Sequence, residues 1–289
     1  MKEPMKDSMR DLKLRKLKNK LFHMALVLSA LIVIAPLFLV VLYLLGKGAS
    51  GVNLDFFTEI PKPVGEPGGG MLHAIVGTFI MVTLGSLISI PVGILAGVLL
   101  SEFEKGPIQT ALRFATDLLA GVPSIVIGIF GYLLVVVPFK SFSALAGALS
   151  LSLIILPIVT RSTEEILKLV PNHVREAGLA LGIPRWKVIF FIIVRGSLSK
   201  LFTGIILAIS RAAGETAPLL FTAFGSLYLS YNVKEPMASL PVQIYNYAIS
   251  PFDDWQAQAW TAAFVLILIV LGLNLTARLV FEIKDYKRK

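Results

Sequence analysis

Two residues of opposite charge, Arg211 and Glu215, stand four positions apart inside the apolar stretch 201–224. Arg211 comes about ten residues after the start of that stretch, which at 1.5 Å per residue places it about 15 Å deep in a spanning helix. A charge near the middle of a bilayer costs about 2.5–3.5 kcal/mol on insertion scales. Because residues four apart share one face of a helix, the sequence predicts that the two side chains are neighbours.

A proline beside this pair predicts that the helix is interrupted. Pro218 has no backbone N–H to donate and crowds the carbonyl group of Gly214, four residues earlier. Broken helices within a membrane are tolerated where they line a cavity, and they recur at transport sites. We therefore predict a kink or break beside Glu215 and a translocation pathway lined by Arg211, Glu215, Thr216 and Pro218. The alternative is a structural ion pair that neutralises itself among neighbouring helices.

A second group of charged residues interrupts the apolar sequence in "REAGLALGIPRWKVI", residues 175–189. Asn172 is predicted to cap a short helix, with Glu176 in or near the first turn, where the helix dipole favours a carboxylate. Gly182 is placed to end this helix in the left-handed conformation, and Pro184 is suited to begin the next one.

Small residues along this short helix, Ala177, Gly178 and Ala180, are expected to keep it thin, so that the backbone of a partner protein could approach closely. The alternative is an amphipathic helix that lies on the lipid headgroups.

Six apolar stretches are long enough to cross a bilayer, which takes about 20 helical residues because hydrocarbon offers no partner to backbone polar groups. They are residues 22–45, 72–100, 114–137, 143–160, 201–224 and 259–281. Only 16% of the residues are charged and the mean hydropathy is +0.80, whereas soluble domains are about a quarter charged. The predicted fold class is therefore an all-α polytopic membrane protein with six transmembrane helices.

The distribution of lysine and arginine predicts which segments face the cytoplasm. Basic residues are frequent in the N-terminal tail 1–21, in 101–113, in the long segment 161–200 and in the C-terminal tail 282–289, whereas loops such as 46–71 carry few. We therefore predict two cytoplasmic termini and an extracytoplasmic loop after the first helix. The net charge of +9 is then a signal of membrane topology, not of nucleic-acid binding.

Arg113 and Asp117 form another pair of opposite charges four residues apart, at the inner end of the stretch 114–137. Their position near the predicted cytoplasmic boundary favours an interfacial ion pair over a transport site.

Several kinds of chemistry lack their residues in this sequence. There is no cysteine, which excludes disulfides and thiolate metal sites, and the three histidines are far apart without ligand spacing, so no metal site is predicted. The P-loop pattern G-x-x-x-x-G-K-[ST] is absent. A protein of this kind that works by ATP hydrolysis would need another chain as its ATPase.

The segment EAGLALG, Glu176 to Gly182, resembles the E-A-A-x-x-x-G motif of ABC importer permeases, with Gly178 where the family has alanine. Further on, the family often continues with I-x-L-P, whereas this chain has IIVR, ending at Arg195. The likeness covers about residues 72–281 and implies a permease core with the type I importer fold. It also implies a coupling helix that docks onto a separate cytoplasmic ATPase and includes Glu176, Ala177, Gly178 and Gly182.

The stretch ISRAAGETAPLLFTAFG, residues 209–225, resembles the corresponding segment of the phosphate permeases within that family. This implies a subunit in the cell membrane, not itself an enzyme, that forms half of the translocation pathway of an ATP-driven phosphate importer. The implied partners are a second homologous permease subunit in a heterodimer, an ATPase dimer that binds ATP and Mg²⁺, and an extracytoplasmic phosphate-binding protein. The chain itself is expected to bind no cofactor.

The charged pair suits such a substrate. An arginine binds phosphate through planar, paired hydrogen bonds. Glu215 is expected either to position Arg211 or to accept a hydrogen bond from the proton-bearing oxygen of phosphate, which sulfate lacks near neutral pH. Three alternatives remain open: a permease for another oxyanion such as sulfate or molybdate, an ion-coupled secondary transporter, and a sensory membrane subunit.

Overall fold

The regular elements of the chain are helices throughout the part that the structure describes. This structure, a computed structural model, describes residues 4–63, 66, 68–103 and 106–286, so the ends of the two predicted tails, 1–3 and 287–289, lie outside the described residues. The α-helices are α1 (Pro4–Gly48), α2 (Leu54–Thr58), α3 (Leu72–Glu102), α4 (Pro107–Gly121), α5 (Ser124–Gly131), α6 (Val137–Phe139), α7 (Ala144–Lys168), α8 (Asn172–Ala180), α9 (Arg185–Lys187), α10 (Leu198–Ala213), α11 (Ala217–Thr222), α12 (Leu240–Ala248) and α13 (Asp253–Tyr286). A 3₁₀ turn covers Ala49–Gly51, and π-helical segments cover Tyr132–Val136 and Val188–Val194.

Four helical segments among the described residues are long and apolar enough to cross a membrane without interruption: Leu14–Gly51, Leu72–Glu102, Ala144–Lys168 and Asp253–Thr276. Two bent pairs raise the number to six if each pair makes one crossing: Pro107–Gly121 with Ser124–Phe139, bent by 105°, and Arg185–Val194 with Leu198–Ala213, bent by 72°. The chain is thus a multi-pass membrane protein, and the predicted six crossings are reached only when the bent pairs are counted.

The first bend follows from a proline. Val122, between α4 and α5, has the extended conformation (φ −70°, ψ 130°), which the steric bulk of a following proline favours. Pro123 then occupies the N-cap position of α5. The predicted span 114–137 is therefore two helices that meet at a sharp angle.

The predicted span 201–224 is also not a single helix. Its first part is α10, which ends at Ala213, and its last part is α11, which begins at Ala217. The break that the sequence predicts beside Glu215 is confirmed.

Helix α7 forms the centre of the bundle and packs closely on α3. In its most apolar part 67% of the residues are buried, against 0% in α1. The contact with α3 depends on glycines, since a Cβ added at Gly85 would lie 2.9 Å from the Ala148 carbonyl oxygen and one at Gly97 would lie 2.5 Å from Thr163 Cβ. Without a hydrophobic force between helices in lipid, such close approach provides the packing energy.

Helix α1 is joined to the bundle only at its C-terminal end, among the described residues. There Tyr43 packs edge-on against Trp260 of α13, with ring centroids 5.0 Å apart, and Gly48 lies against Phe264. The described apolar side chains before Tyr43 are exposed, as expected of a helix that faces lipid or a partner chain.

The segment 225–258, between the last two predicted spans, contains a short helix, α12. The backbone N–H of Leu240, its first residue, donates to Thr78 Oγ1 of α3 at 2.7 Å. A side chain of α3 thus accepts a hydrogen bond from a backbone N–H group in the first turn of α12, which has no partner within the helix.

The packing of α3 on α7 predicts that Gly97→Val destabilises the chain by about 1–3 kcal/mol, the usual cost of forcing extra groups into a packed contact. The midpoint of thermal unfolding in detergent measures the effect. Gly272→Val is the matched control, because an added Cβ there has no neighbour within 4 Å. Equal shifts in the two variants would contradict the packing role of Gly97.

Candidate functional site

Arg211 and Glu215 lie together where α10 ends. The Arg211 Nε and Glu215 Oε1 atoms are 3.6 Å apart, a distance that allows an ion pair but is longer than a good hydrogen bond. The Arg211 side chain is 61% exposed and that of Glu215 is 16% exposed. Within the described residues no hydrogen-bond partner holds the guanidinium of Arg211, so its N–H groups are available to a ligand.

The residues between α10 and α11 form a turn that interrupts the helix. The backbone N–H groups of Gly214 and Glu215 donate to the carbonyls of Arg211 and Ala212, which closes α10 with a tight turn. The expectation that the charged pair shares the face of one helix is therefore corrected: Glu215 lies beyond the last helical residue and meets Arg211 across the turn. Thr216, partly buried, occupies the N-cap position of α11.

Pro218 does not line an open face of the molecule. It is buried, and a Cβ added at Gly128 of α5 would lie 2.6 Å from Pro218 Cα. Its contribution to the pathway stays a prediction. Its part is to interrupt the helix and to seat α11 against α5.

Helix α10 has two faces, and Arg211 belongs to the open one. Leu207 is exposed one turn before Arg211, whereas Ile205, Ala208 and Ala212 are buried in the core. The open face therefore leaves the guanidinium of Arg211, paired only loosely with Glu215, on the outside of this single chain. A second protein chain that covered this face would enclose Arg211 in a shared cavity.

The short helix predicted to begin at Asn172 is present as α8, with two differences in detail. Pro171 rather than Asn172 occupies the N-cap position, and Asn172 is the first helical residue. Glu176 is the fifth residue of the helix and thus lies in its second turn, beyond the strongest effect of the helix dipole. Gly182, with φ +76°, adopts the left-handed conformation as predicted, and Pro184 precedes α9 as predicted.

The two faces of α8 differ from the expected arrangement. Glu176, Ala177 and Leu179 are exposed on the outer face, whereas Gly178 is buried on the inner face. A Cβ added at Gly178 would lie 2.9 Å from Val188 Cγ2. The expectation that Gly178 thins the helix for a partner is therefore wrong, because its missing side chain admits Val188 of the same chain.

The segment from α8 to the π-helical residues Val188–Val194 is held to the bundle by an apolar cluster and by an ion pair. The cluster joins α3, α7, this π-helical segment 188–194 and α10 through the buried side chains Val98, Leu167, Val188, Ile189, Ile193 and Leu201. Beside it, Arg175 of α8 forms an ion pair with Glu102 at the end of α3, with Nη2 2.6 Å from Oε1. The hydrogen bonds that Arg175 donates to this carboxylate raise the pKa of its guanidinium above the ordinary value.

Sequence reasoning missed the Glu102–Arg175 pair, since the two residues are far apart in the chain. A usable signal was present, because Glu102 is an acidic residue at the very end of an otherwise apolar span.

A second carboxylate is buried near the same end of α7. Glu164, whose side chain is 1% exposed, pairs with Arg113 at 2.6 Å, with Lys168 at 2.6 Å and with Arg161 at 3.1 Å. Arg161 also pairs with Asp117. The predicted pairing of Arg113 with Asp117 is therefore wrong: both residues of α4 bind side chains of α7 instead.

Comparison with known proteins identifies relatives of the whole chain. Residues 89–287 match the family described as "Binding-protein-dependent transport system inner membrane component". The chain is 44% identical over 271 residues to the "Phosphate transport system permease protein PstA" of Haemophilus influenzae, with 93% of this chain and 96% of that protein covered. A Mycobacterium leprae protein of the same name is 37% identical over 266 residues, covering 90% of this chain and 88% of its own length.

Solved structures show the same fold. An inward-facing structure of the MetNI methionine ABC transporter matches 74% of this chain and 93% of its own chain, with a TM-score of 0.57 and 17% sequence identity.

The contact of Gly178 with Val188 yields a second prediction. Gly178→Ala is expected to destabilise the isolated chain, because a methyl group would lie 2.9 and 3.2 Å from the two Val188 methyl carbons. Val188→Ala removes both carbons, so the double variant should be more stable than the sum of the single effects by about 1 kcal/mol. Thermal unfolding measures all three variants, with Ala177→Ser on the exposed face as control. Additive effects of the two substitutions would contradict the contact.

Proposed function

This chain belongs to the family of binding-protein-dependent transport system inner membrane components, and we propose that it is the permease subunit of an ATP-driven importer of inorganic phosphate. Two relatives that match nearly its whole length, at 44% and 37% identity, are named phosphate transport system permeases. The observation that carries the proposal to this chain's own residues is the exposed guanidinium of Arg211 beside Glu215 at the break between α10 and α11.

The pair is suited to bind phosphate. The Arg211 side chain can direct two parallel N–H groups at two phosphate oxygens, and its loose contact with Glu215 leaves them free to do so. Glu215, mostly buried, can accept the hydrogen bond of a proton-bearing phosphate oxygen. Thr216 follows Glu215 directly in the chain, at the N-cap position of α11, and completes the proposed pathway residues.

The open face of α10 supports a shared pathway. Arg211 lies on the outside of the single chain, so it reaches a closed cavity only when another chain covers that face. A second homologous permease subunit, in a heterodimer, would supply the other half. An extracytoplasmic phosphate-binding protein would deliver the substrate to this cavity.

The coupling to ATP is assigned to partner subunits. The chain has no P-loop, so ATP and Mg²⁺ would bind to a cytoplasmic ATPase dimer and this chain would perform no hydrolysis itself. The outer face of α8, with Glu176, Ala177 and Leu179, is the surface that would dock into the ATPase, while Gly178 and Gly182 shape the segment. This arrangement requires α8, and with it both termini, on the cytoplasmic side of the cell membrane.

The test of this function is uptake by a reconstituted complex. The chain is co-expressed with a candidate second permease and ATPase, and uptake of labelled phosphate is measured in membrane vesicles supplied with a phosphate-binding protein. We expect uptake that requires ATP and the ATPase chain and that excess sulfate or molybdate does not compete away. Uptake without the ATPase would indicate a secondary transporter, and equal competition by another oxyanion would overturn the assignment to phosphate.

Replacing Arg211 should reduce transport strongly. A hydrogen bond to a charged group contributes about 1.5–3 kcal/mol, and 1.4 kcal/mol is a factor of ten, so Arg211→Gln is expected to lower the initial rate of uptake about 10- to 100-fold. Arg195→Gln removes the same charge from an exposed position of the segment after α9 and should leave uptake unchanged. Equal rates in the two variants would exclude Arg211 from the substrate site.

Replacing Glu215 should change selectivity more than stability. Glu215→Gln keeps the size of the side chain but can donate a hydrogen bond, so it should admit sulfate, which carries no proton near neutral pH. We expect sulfate to compete with phosphate uptake in this variant and not in the parent. If uptake and selectivity were both unchanged, Glu215 would have no part in recognising the anion.

A further inference from the structure

Helix α8 is too short to be stable on its own, so it depends on two contacts with the rest of the chain. It has nine residues, shorter than the about 12–15 that an isolated helix needs to be even marginally stable in water. One anchor is apolar, where Gly178 admits Val188. The other is polar and centres on Arg175, the residue immediately before the exposed Glu176.

The Arg175 guanidinium joins three helices at one point. Its Nε and Nη2 atoms donate to the two carboxylate oxygens of Glu102, the last residue of α3, at 2.9 and 2.6 Å. Nη2 also donates to the carbonyl of Leu167 near the end of α7 at 3.0 Å, and Nη1 donates to the carbonyl of Val170. The Glu102 side chain is 3% exposed and that of Arg175 is 19% exposed, so water screens the pair little.

The chain after the turn at Gly182 is also bound to the C-terminal end of α3. The guanidinium of Arg185, the first residue of α9, donates to the backbone carbonyl of Glu102 and lies 4.8 Å from the ring centroid of Phe103. The end of α3 therefore holds both α8 and α9, one on each side of the left-handed turn.

We propose that Glu102 and Arg175 are positioning residues that transmit the movement of α8 to α3 and α7, and thereby couple ATP hydrolysis to transport. This inference rests on the proposed function, in which the ATPase pulls on the outer face of α8. The paired carboxylate and guanidinium make α8 move with the ends of α3 and α7. Without the pair, α8 keeps its apolar contact with Val188 but can shift relative to α3, so the ATPase would turn over without moving the permease core.

A purely structural role makes a different prediction. Loss of a merely stabilising contact would lower the amount of assembled complex and would reduce ATP hydrolysis and transport in the same proportion. Loss of a positioning contact changes their ratio. The measured quantity is therefore the number of ATP molecules hydrolysed per phosphate transported, by complexes that retain the ATPase chain.

The experiment compares the parent complex in proteoliposomes with Glu102→Gln, Arg175→Gln and the double variant, with Arg195→Gln as control. We expect each single variant to raise the ATP-to-phosphate ratio about fivefold or more, the lower end of typical coupling effects, and the control to leave it unchanged. Because both substitutions remove one contact, the double variant should be no worse than either single one. Arg175→Lys, which keeps the charge and one donor, should lie between the parent and Arg175→Gln, and it serves where Arg175→Gln does not assemble.

A second measurement follows the movement directly. The chain has no native cysteine, so spin labels can be placed at His173 of α8 and Leu95 of α3, both of which are exposed. The distance between the labels should stay constant through the ATP cycle in the parent and change in Glu102→Gln.

The outcomes separate this inference from the proposed function. An unchanged ratio, additive effects of the two substitutions, or a constant label distance in Glu102→Gln would overturn the positioning role while leaving phosphate import intact. If the parent transported another oxyanion instead, the phosphate assignment would fail and the ratio would be measured with that anion. If the parent needed no ATPase, both would fail.

Discussion

The need to satisfy every backbone polar group inside a membrane governs where this chain can depart from a helix. Two of the departures within the described bundle lie against each other: α5 follows the break at Pro123, α11 follows the break at Gly214, and the two short helices pack where Gly128 meets Pro218. Each broken segment thus covers part of the other. The turn after α10 also reuses its own carbonyls, since the N–H of Glu215 donates to that of Ala212. A break that would be costly in lipid is therefore tolerated, and it leaves Arg211 exposed on the outside of the chain.

The same constraint sorts the charges of the molecule into two kinds. Glu102 and Glu164 are buried carboxylates, and both are held at hydrogen-bonding distance by arginines, as a charge away from water requires. These pairs fasten α3, α4, α7 and α8 at one end of the bundle. The Arg211–Glu215 contact is longer, at 3.6 Å, and its arginine is mostly exposed. In a tight, buried pair the hydrogen bonds are made within the protein, whereas a loose, open pair leaves donors for a ligand. For this reason we propose Arg211, and not Arg175, as the residue that binds substrate.

Local features of the sequence predicted local structure well, but they did not predict which residues far apart in the chain form pairs. The left-handed Gly182, the second short helix after Pro184 and the break near Pro218 each follow from one residue type and its immediate neighbours. The pair Glu102–Arg175 could not be found by spacing, because it depends on how α3 and α8 meet. Spacing even misled for Arg113, which lies four residues from Asp117 but points to α7. The prediction that Gly178 faces a partner protein failed for the same reason, because the buried face of a nine-residue helix is determined by the residues that it packs against.

Helix α7 is the element that relates the two ends of the proposed mechanism. Near its end, the carbonyl of Leu167 accepts a hydrogen bond from Arg175 of α8. Along its length it packs on α10, where a Cβ added at Gly204 would lie 2.7 Å from Ser162 Oγ, and α10 carries Arg211 about two turns further on. The covalent route from α8 to Arg211 is less direct, because it runs through the π-helical segment Val188–Val194 and a 72° bend. The firm route is therefore through side chains: from α8 into α7 by Arg175, and from α7 into α10 by close packing. Under the proposed mechanism, Arg175 would therefore determine how much of a movement of α8 reaches α7 and, through it, α10.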